Sequence, residues 1–149
     1  MTILVTGASG FVGSAVVRAL LADGKTVRVL LRPTSDRRNI YGLDVAVVAG
    51  DLRRAESLRG ALDGCRFVYH VAADYRLWTP RPADLYETNV AGTENLIRAA
   101  IAAKVERIVY TSSVATLGIN ANREPGDETT PVGLTDMIGH YKRSKFMAE

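Results

Sequence analysis

Short apolar, β-branched runs alternate along this chain with stretches whose apolar residues recur every three or four positions. Thr2–Thr6 is the first such run, and it predicts a strand ending at a glycine turn. Between Phe11 and Asp23, Val12, Val16, Ala19 and Leu20 fall on one helical face, and Gly24 supplies a stop. Thr26–Leu31, Val45–Ala49, Phe67–Val71 and Arg107–Thr111 predict four more strands. Asp51 is placed to cap a helix that turns Ala55, Leu58 and Leu62 inward before Gly64. A long helix is predicted from Ala83 to Ala103, with Leu85, Asn89, Thr93, Leu96, Ile97 and Ala100 on its inward side. The stretch from Asn120 to Thr135 carries two prolines and two glycines and predicts a loop. A last helix is expected to begin near Asp136 and to continue to Glu149.

Strands alternating with helices predict a parallel sheet covered on both faces. Right-handed crossovers narrow this to an α/β, doubly wound Rossmann arrangement, with ligands at the carboxyl ends of the strands.

Composition restricts the function further. The 149 residues are 47% hydrophobic and 23% charged, ordinary for one domain with a real core. No apolar run approaches the ~20 residues of a membrane helix, and the first residues lack the basic start of a signal peptide. The single Cys65 excludes an internal disulfide, so a cytoplasmic protein is expected. The net charge of +3 is concentrated between Lys25 and Arg38, where Lys25, Arg28, Arg32, Arg37 and Arg38 face Asp36 alone. A nucleic-acid partner would call for a longer basic face, so none is expected.

The candidate chemistry begins at Gly7, Gly10 and Gly13, spaced by three between a strand and a helix. The first permits a sharp turn, the second lets a pyrophosphate approach the backbone, and the third lets helix and strand pack closely. The helix N-terminus adds its partial positive charge, so a dinucleotide is the expected ligand. Arg32 follows the second strand, with Arg37 and Arg38 behind it. An acid there would bind a ribose 2′-hydroxyl, whereas a guanidinium suits a 2′-phosphate, so NADP is favoured with NAD as the alternative. Tyr141 and Lys145 stand at i and i+4 on the last helix. An ammonium beside a phenol favours the phenolate, which suits proton exchange with an alcohol or carbonyl. Six tyrosines and four lysines produce such a pair by accident in about one chain in six of this length, so position carries the assignment. Thr111, Ser112 and Ser113 close the fifth strand and offer a hydroxyl to a substrate oxygen.

These segments, with Gly50-Asp51-Leu52, His70-Val71-Ala72-Ala73 and Thr88-Asn89-Val90-x-Gly92-Thr93, resemble the extended short-chain dehydrogenase/reductases. His70 to Trp78 and Asp136 to Phe146 are most similar to the hopanoid-associated sugar epimerase group and to dihydroflavonol reductases. The resemblance implies that Ser113, rather than Ser112, is the catalytic serine. It implies that Tyr141 is the general acid/base and that Lys145 tunes it and holds the nicotinamide ribose. It places Phe11 and Val12 in the dinucleotide turn, Asp51 and Leu52 at the adenine, and Val71, Ala72 and Ala73 beside the pyrophosphate and ribose. Asn89 would brace the sheet near the nicotinamide. The sugar-epimerase branch often carries an acid at the position of Arg32, which leans this chain towards the reductases.

The expectation is therefore a nicotinamide-dependent epimerase or reductase acting on a secondary alcohol or ketone of a sugar or similar small molecule, without a metal. Residues 1–149 would form its dinucleotide-binding domain, with the substrate wall supplied by segments after Glu149 and little activity in the chain alone. The two long helices are where a homodimer would pair. A non-catalytic, redox-sensing dinucleotide module is the rival, disfavoured by the presence of Tyr141, Lys145 and Ser113. His70, Asp74, Tyr75 and Trp78 follow the fourth strand and could face substrate, but a histidine there is more often a hydrogen-bonded structural residue and Trp78 more often packing, so no role is assigned to them.

Overall fold

The structure, a computed structural model, describes residues 1–120 and 124–149. Five strands, β1 (Thr2–Thr6), β2 (Thr26–Leu31), β3 (Ala46–Ala49), β4 (Cys65–His70) and β5 (Arg107–Tyr110), form one parallel sheet in the order β3-β2-β1-β4-β5. The chain therefore leaves β1 in both directions, which opens a crevice at the carboxyl end of the sheet between β1 and β4.

The pleat sorts side chains to two faces. Leu4, Leu30 and Val68 point to one, where they pack with Leu58, Leu62, Leu96 and Ala100. Val5, Val27, Val29 and Leu31 point to the other, against Val17 of α1 (Phe11–Ala22) and Ile40. Each fully buried Leu or Val contributes roughly 1.5–3 kcal/mol, so these two clusters hold helices on both faces. The doubly wound Rossmann architecture expected from the sequence is the observed one.

Several elements differ from expectation. The helix after β3 is a 3-10 turn (Ala55–Ser57) followed by the short α2 (Arg59–Leu62), and Asp51 caps neither. Its carboxylate instead accepts from the Arg53 amide and guanidinium. Leu58 and Leu62 do turn inward, but Ala55 stays exposed. The long helix is interrupted: α3 (Ala83–Tyr86) passes through a π turn (Glu87–Ala91) into α4 (Gly92–Ala102). The wider turn re-phases the helix, a feature frequent at functional sites. Leu85, Asn89, Thr93, Leu96 and Ala100 are all buried, whereas Ile97 is 37% exposed. α5 (His140–Met147) starts later than predicted, after a 3-10 turn at Leu134–Asp136. Of the loop predicted over 120–135, residues 121–123 lie outside the described residues.

Candidate active site

Most of the residues predicted to carry chemistry line one cleft of about 1030 Å³ at the carboxyl end of the sheet. Gly7, Gly10, Phe11, Val12 and Gly13 line one end, and Arg32, Asp51 and Leu52 stand beside them. Val71, Ala72 and Ala73 run along the middle, and Tyr141 and Lys145 close the far end.

The three glycines are not equivalent. Gly7 has φ of +70°, and a Cβ on it would lie 2.6 Å from the Ala72 backbone nitrogen. A Cβ on Gly13 would lie 2.0 Å from the Gly7 carbonyl oxygen. Both are required by the fold itself. Gly10 has an ordinary extended backbone, and a Cβ there meets only the Gly7 oxygen at 3.3 Å. That contact is tight but far milder than those at Gly7 and Gly13, so the missing side chain at Gly10 chiefly keeps the cleft open.

Gly10 is also the N-cap of α1, with no side-chain cap and no acid in the first turn. The leading N–H groups of the helix have no intrahelical acceptors, and together with the helix dipole they favour an anion. The residues present thus fit a dinucleotide: an open Gly10, uncapped amides and a long cleft.

Arg32 and Ser35 lie at the mouth. Arg53 clasps the Asp51 carboxylate at 2.6 Å and holds its carboxyl below the usual range, with a smaller contribution from Arg32. Arg76 does the same for Asp74 at 2.5 Å, and Arg32 again adds to the effect. Arg32 therefore sits within the field of two carboxylates.

At the catalytic end, Lys145 is 2% exposed. Its ammonium donates to the Tyr110 hydroxyl at 2.6 Å and to the Thr111 carbonyl at 2.8 Å. Burial pushes its pKa down to about 8, partly opposed by Glu149, and pushes the Tyr110 phenol up to about 12. Tyr141 is half-buried on the same face of α5.

Two predicted residues, Ser113 and Asn89, do not line the cleft. Ser113 caps the 3-10 turn at Val114–Thr116, its Oγ accepting from the Ala115 amide at 3.2 Å. Ser112 is the serine on the cleft wall, and its hydroxyl donates to the Glu149 carboxylate. Asn89 is 2% exposed, and its amide bonds the Asp74 backbone and the Ser144 hydroxyl. It ties the loop after β4 to α5.

Asp74, Tyr75 and Arg76 also line the cleft, whereas Trp78 is exposed outside it and His70 is buried beneath. Sequence reasoning missed Tyr110 as the partner of Lys145. The signal was its position at the end of β5, but nothing in a sequence ranks it above Tyr141. Among the described residues no group of three or more His, Cys, Asp or Glu side chains is placed to hold a metal, and no helix is long and apolar enough to cross a membrane.

The profile of the NAD dependent epimerase/dehydratase family matches residues 3–149. A curated relative from Synechocystis sp., named "Putative dihydroflavonol 4-reductase", is 43% identical over 145 residues, covering 97% of this chain and 42% of the relative. The crystal structure of gox2253 superposes with a TM-score of 0.94 at 52% identity, over 99% of this chain and 44% of that one. The UDP-glucose 4-epimerase of Thermus thermophilus, solved in complex with NAD, gives a TM-score of 0.85 at 33% identity, over 98% and 48% of the two chains. The chain thus spans less than half the length of each relative. With its glycine turn, parallel sheet and Tyr141-x-x-x-Lys145 helix in place, it belongs to the NAD-dependent epimerase/dehydratase family of extended short-chain dehydrogenase/reductases.

Proposed function

We propose that the chain forms the dinucleotide half of an NADP-dependent oxidoreductase acting on a secondary alcohol or ketone, of a sugar or of a similar small molecule. The carrying observation is that Gly10 and the Tyr141-Lys145 helix line one continuous cleft. The names of the relatives, a dihydroflavonol reductase and a UDP-glucose epimerase, support that substrate class.

The amides of Phe11, Val12 and Gly13 hold the pyrophosphate, and Arg32 holds the 2′-phosphate through its forked donors. Asp51 and Leu52 border the adenine, and Val71 to Ala73 the ribose. A nicotinamide dinucleotide, when bound, supplies the hydride acceptor or donor. Tyr141 exchanges the proton at the substrate oxygen through its hydroxyl. Lys145 moves from Tyr110 to the ribose and to the field of Tyr141, where its positive charge favours the phenolate. Ser113 supplies the hydroxyl that holds the substrate oxygen, after its bond to Ala115 is released. Asn89 keeps α5 in register with the loop after β4. Exposed Ile97 and Ile101 on α4, beside Met147 of α5, form the face on which two copies would pair.

The test is turnover by the full-length protein with NADPH and NADH against ketone substrates, including keto sugars, and with nucleotide sugars for epimerisation. Preferential NADPH consumption, abolished by Tyr141→Phe, is expected. Ser113→Ala should lower kcat more than Ser112→Ala. Absence of dinucleotide binding would overturn the assignment.

A further inference from the structure

Beneath the cleft floor a row of four hydrogen bonds runs through the buried His70. The Ala72 amide donates to Thr6 Oγ1 at 3.2 Å, and Thr6 Oγ1 lies 2.7 Å from His70 Nδ1. His70 Nε2 lies 2.9 Å from Thr93 Oγ1, and the Thr93 hydroxyl donates to the Asn89 carbonyl at 2.6 Å. The row is shielded from water: Thr6, His70, Thr93 and Asn89 are each 3% exposed or less.

The ends of the row decide where each proton sits. A carbonyl only accepts, so Thr93 gives its one proton to Asn89, and its oxygen receives from Nε2–H. At the other end the amide only donates, and Thr6 keeps its own proton for Nδ1. The ring is then neutral with the proton on Nε2, and every donor is matched. A second proton, on Nδ1, would leave the Thr6 hydroxyl facing another donor.

The surroundings agree. The Tyr110 ring is 5.4 Å away on the β5 side, and the Lys145 ammonium of α5 lies 2.6 Å from its hydroxyl. Burial, with Lys145 adding to it, pushes the His70 pKa down to about 4.

Both ends of the row belong to the site. Thr6 directly precedes Gly7, which packs against the Ala72 backbone. Asn89 donates to Ser144 Oγ at 2.8 Å, and the Ser144 hydroxyl donates to the Tyr141 carbonyl at 2.8 Å. The bonds therefore run from the dinucleotide turn to the helix carrying Tyr141 and Lys145.

We propose that His70 is a positioning residue: its neutral ring, bridging Thr6 and Thr93, sets the spacing between the Gly7–Ala72 end of the cleft and the Tyr141-Lys145 helix. This role rests on the function proposed above. It explains why an imidazole, with one acceptor and one donor on opposite sides, stands at the end of β4.

The experiment compares His70→Leu with His70→Gln in the full-length protein. Leucine fills the space without polar atoms, whereas glutamine offers one acceptor and one donor. Misplacement of ~1 Å can cost ~100-fold in rate, so His70→Leu should lose at least ~10-fold in kcat with weakened NADPH binding. His70→Gln should recover to within ~3-fold of the natural protein, as a bridging acceptor and donor are restored. A folded His70→Leu with unaltered kcat and Kd would overturn the role, as would a glutamine variant no better than leucine. If His70→Leu does not fold, Thr93→Val breaks the same row with little change in shape, and natural kinetics in that variant would overturn it equally.

Ring nitrogen NMR adds a readout independent of activity. The His70 signals are assigned as those lost in the His70→Gln variant. Protonation at Nε2 alone between pH 5 and 8 is expected, and a proton on Nδ1 in that range would refute the bridge. A natural protein that binds no dinucleotide would overturn the function and this role together. Normal binding with an indifferent His70→Leu would overturn the role only.

Discussion

The Lys145 ammonium lies 2.6 Å from the Tyr110 hydroxyl and 4.1 Å from the centroid of the same ring. The two distances put the ammonium beside the phenol oxygen, so the hydroxyl is the group that holds it. Helical spacing pairs Lys145 with Tyr141, but the strand beneath supplies its partner. The upward shift at Tyr110 and the downward shift at Lys145 both follow from burial, which penalises the charged form of each. Tyr110 thus remains a neutral phenol at physiological pH.

Tyr110→Phe removes an acceptor from this buried ammonium and leaves the Thr111 carbonyl in place. Hydrogen bonds to charged groups contribute about 1.5–3 kcal/mol, so a destabilisation of that size is expected in urea unfolding at pH 7. A loss under ~0.5 kcal/mol, the ordinary scale of surface substitutions, would show that the bond contributes little.

Gly10→Val and Gly13→Val should separate ligand from fold. At Gly10 the new side chain meets the Gly7 oxygen at 3.3 Å and intrudes on the cleft, so the protein should lose little stability and bind no NADPH. At Gly13 the Cβ would be 2.0 Å from the Gly7 oxygen. Overpacking of this kind costs about 1–3 kcal/mol or more, so that variant should unfold at lower temperature. Equal melting temperatures for the two would contradict the distinction.

Arg32→Asp should reverse the cofactor preference. It removes a guanidinium suited to a 2′-phosphate, repels that phosphate, and offers an acceptor to a 2′-hydroxyl. Loss of one charge-assisted interaction predicts a roughly 10- to 100-fold rise in the NADPH dissociation constant, with NADH binding improved. Fluorescence titration checks both, and a natural protein that already prefers NADH would defeat the prediction.

Tyr141→Phe in the full-length protein should lower kcat by roughly 10²- to 10⁴-fold, the usual contribution of general acid–base catalysis. The dissociation constant for NADPH should change little, because only the proton exchange is removed. Ordinary turnover by this variant would exclude the mechanism.

His70 should make the protein sensitive to mild acid. Its folded pKa of about 4 lies below the unfolded 6.5, so between these values the unfolded chain binds the extra proton and the folded chain does not. Stability from this group is then constant above pH 6.5 and falls as the pH drops towards 4, by roughly 3 kcal/mol at about 1.36 kcal/mol per unit. His70→Gln should lack that share of the acid loss in urea unfolding. Parallel pH profiles for the two proteins would refute the buried neutral ring.

Local chemistry made much of this protein legible from its sequence. β1, β2 and β4 are covered on both faces, so their apolar runs stood out without tertiary context. Gly7, Gly10 and Gly13 were readable because a turn, an open helix start and close packing of the helix on the turn each require the same missing side chain. The α/β order and right-handed crossovers then left few arrangements for the sheet.

Contacts between distant segments decided the rest. The break in the helix at Glu87–Ala91 accompanies the bonds from Asn89 to Asp74 and Ser144, partners 15 and 55 positions away. Asp51 satisfies Arg53 instead of capping a helix, and Ile97 lies outside the buried stripe that the unbroken period assigned to it. His70 could be read as a substrate contact or as a core residue until the sheet placed Thr6 beside one ring nitrogen and α4 placed Thr93 beside the other. Periodicity describes which face a residue takes along its own element. The partner it meets there is set by packing between elements, and only the folded chain contains that information.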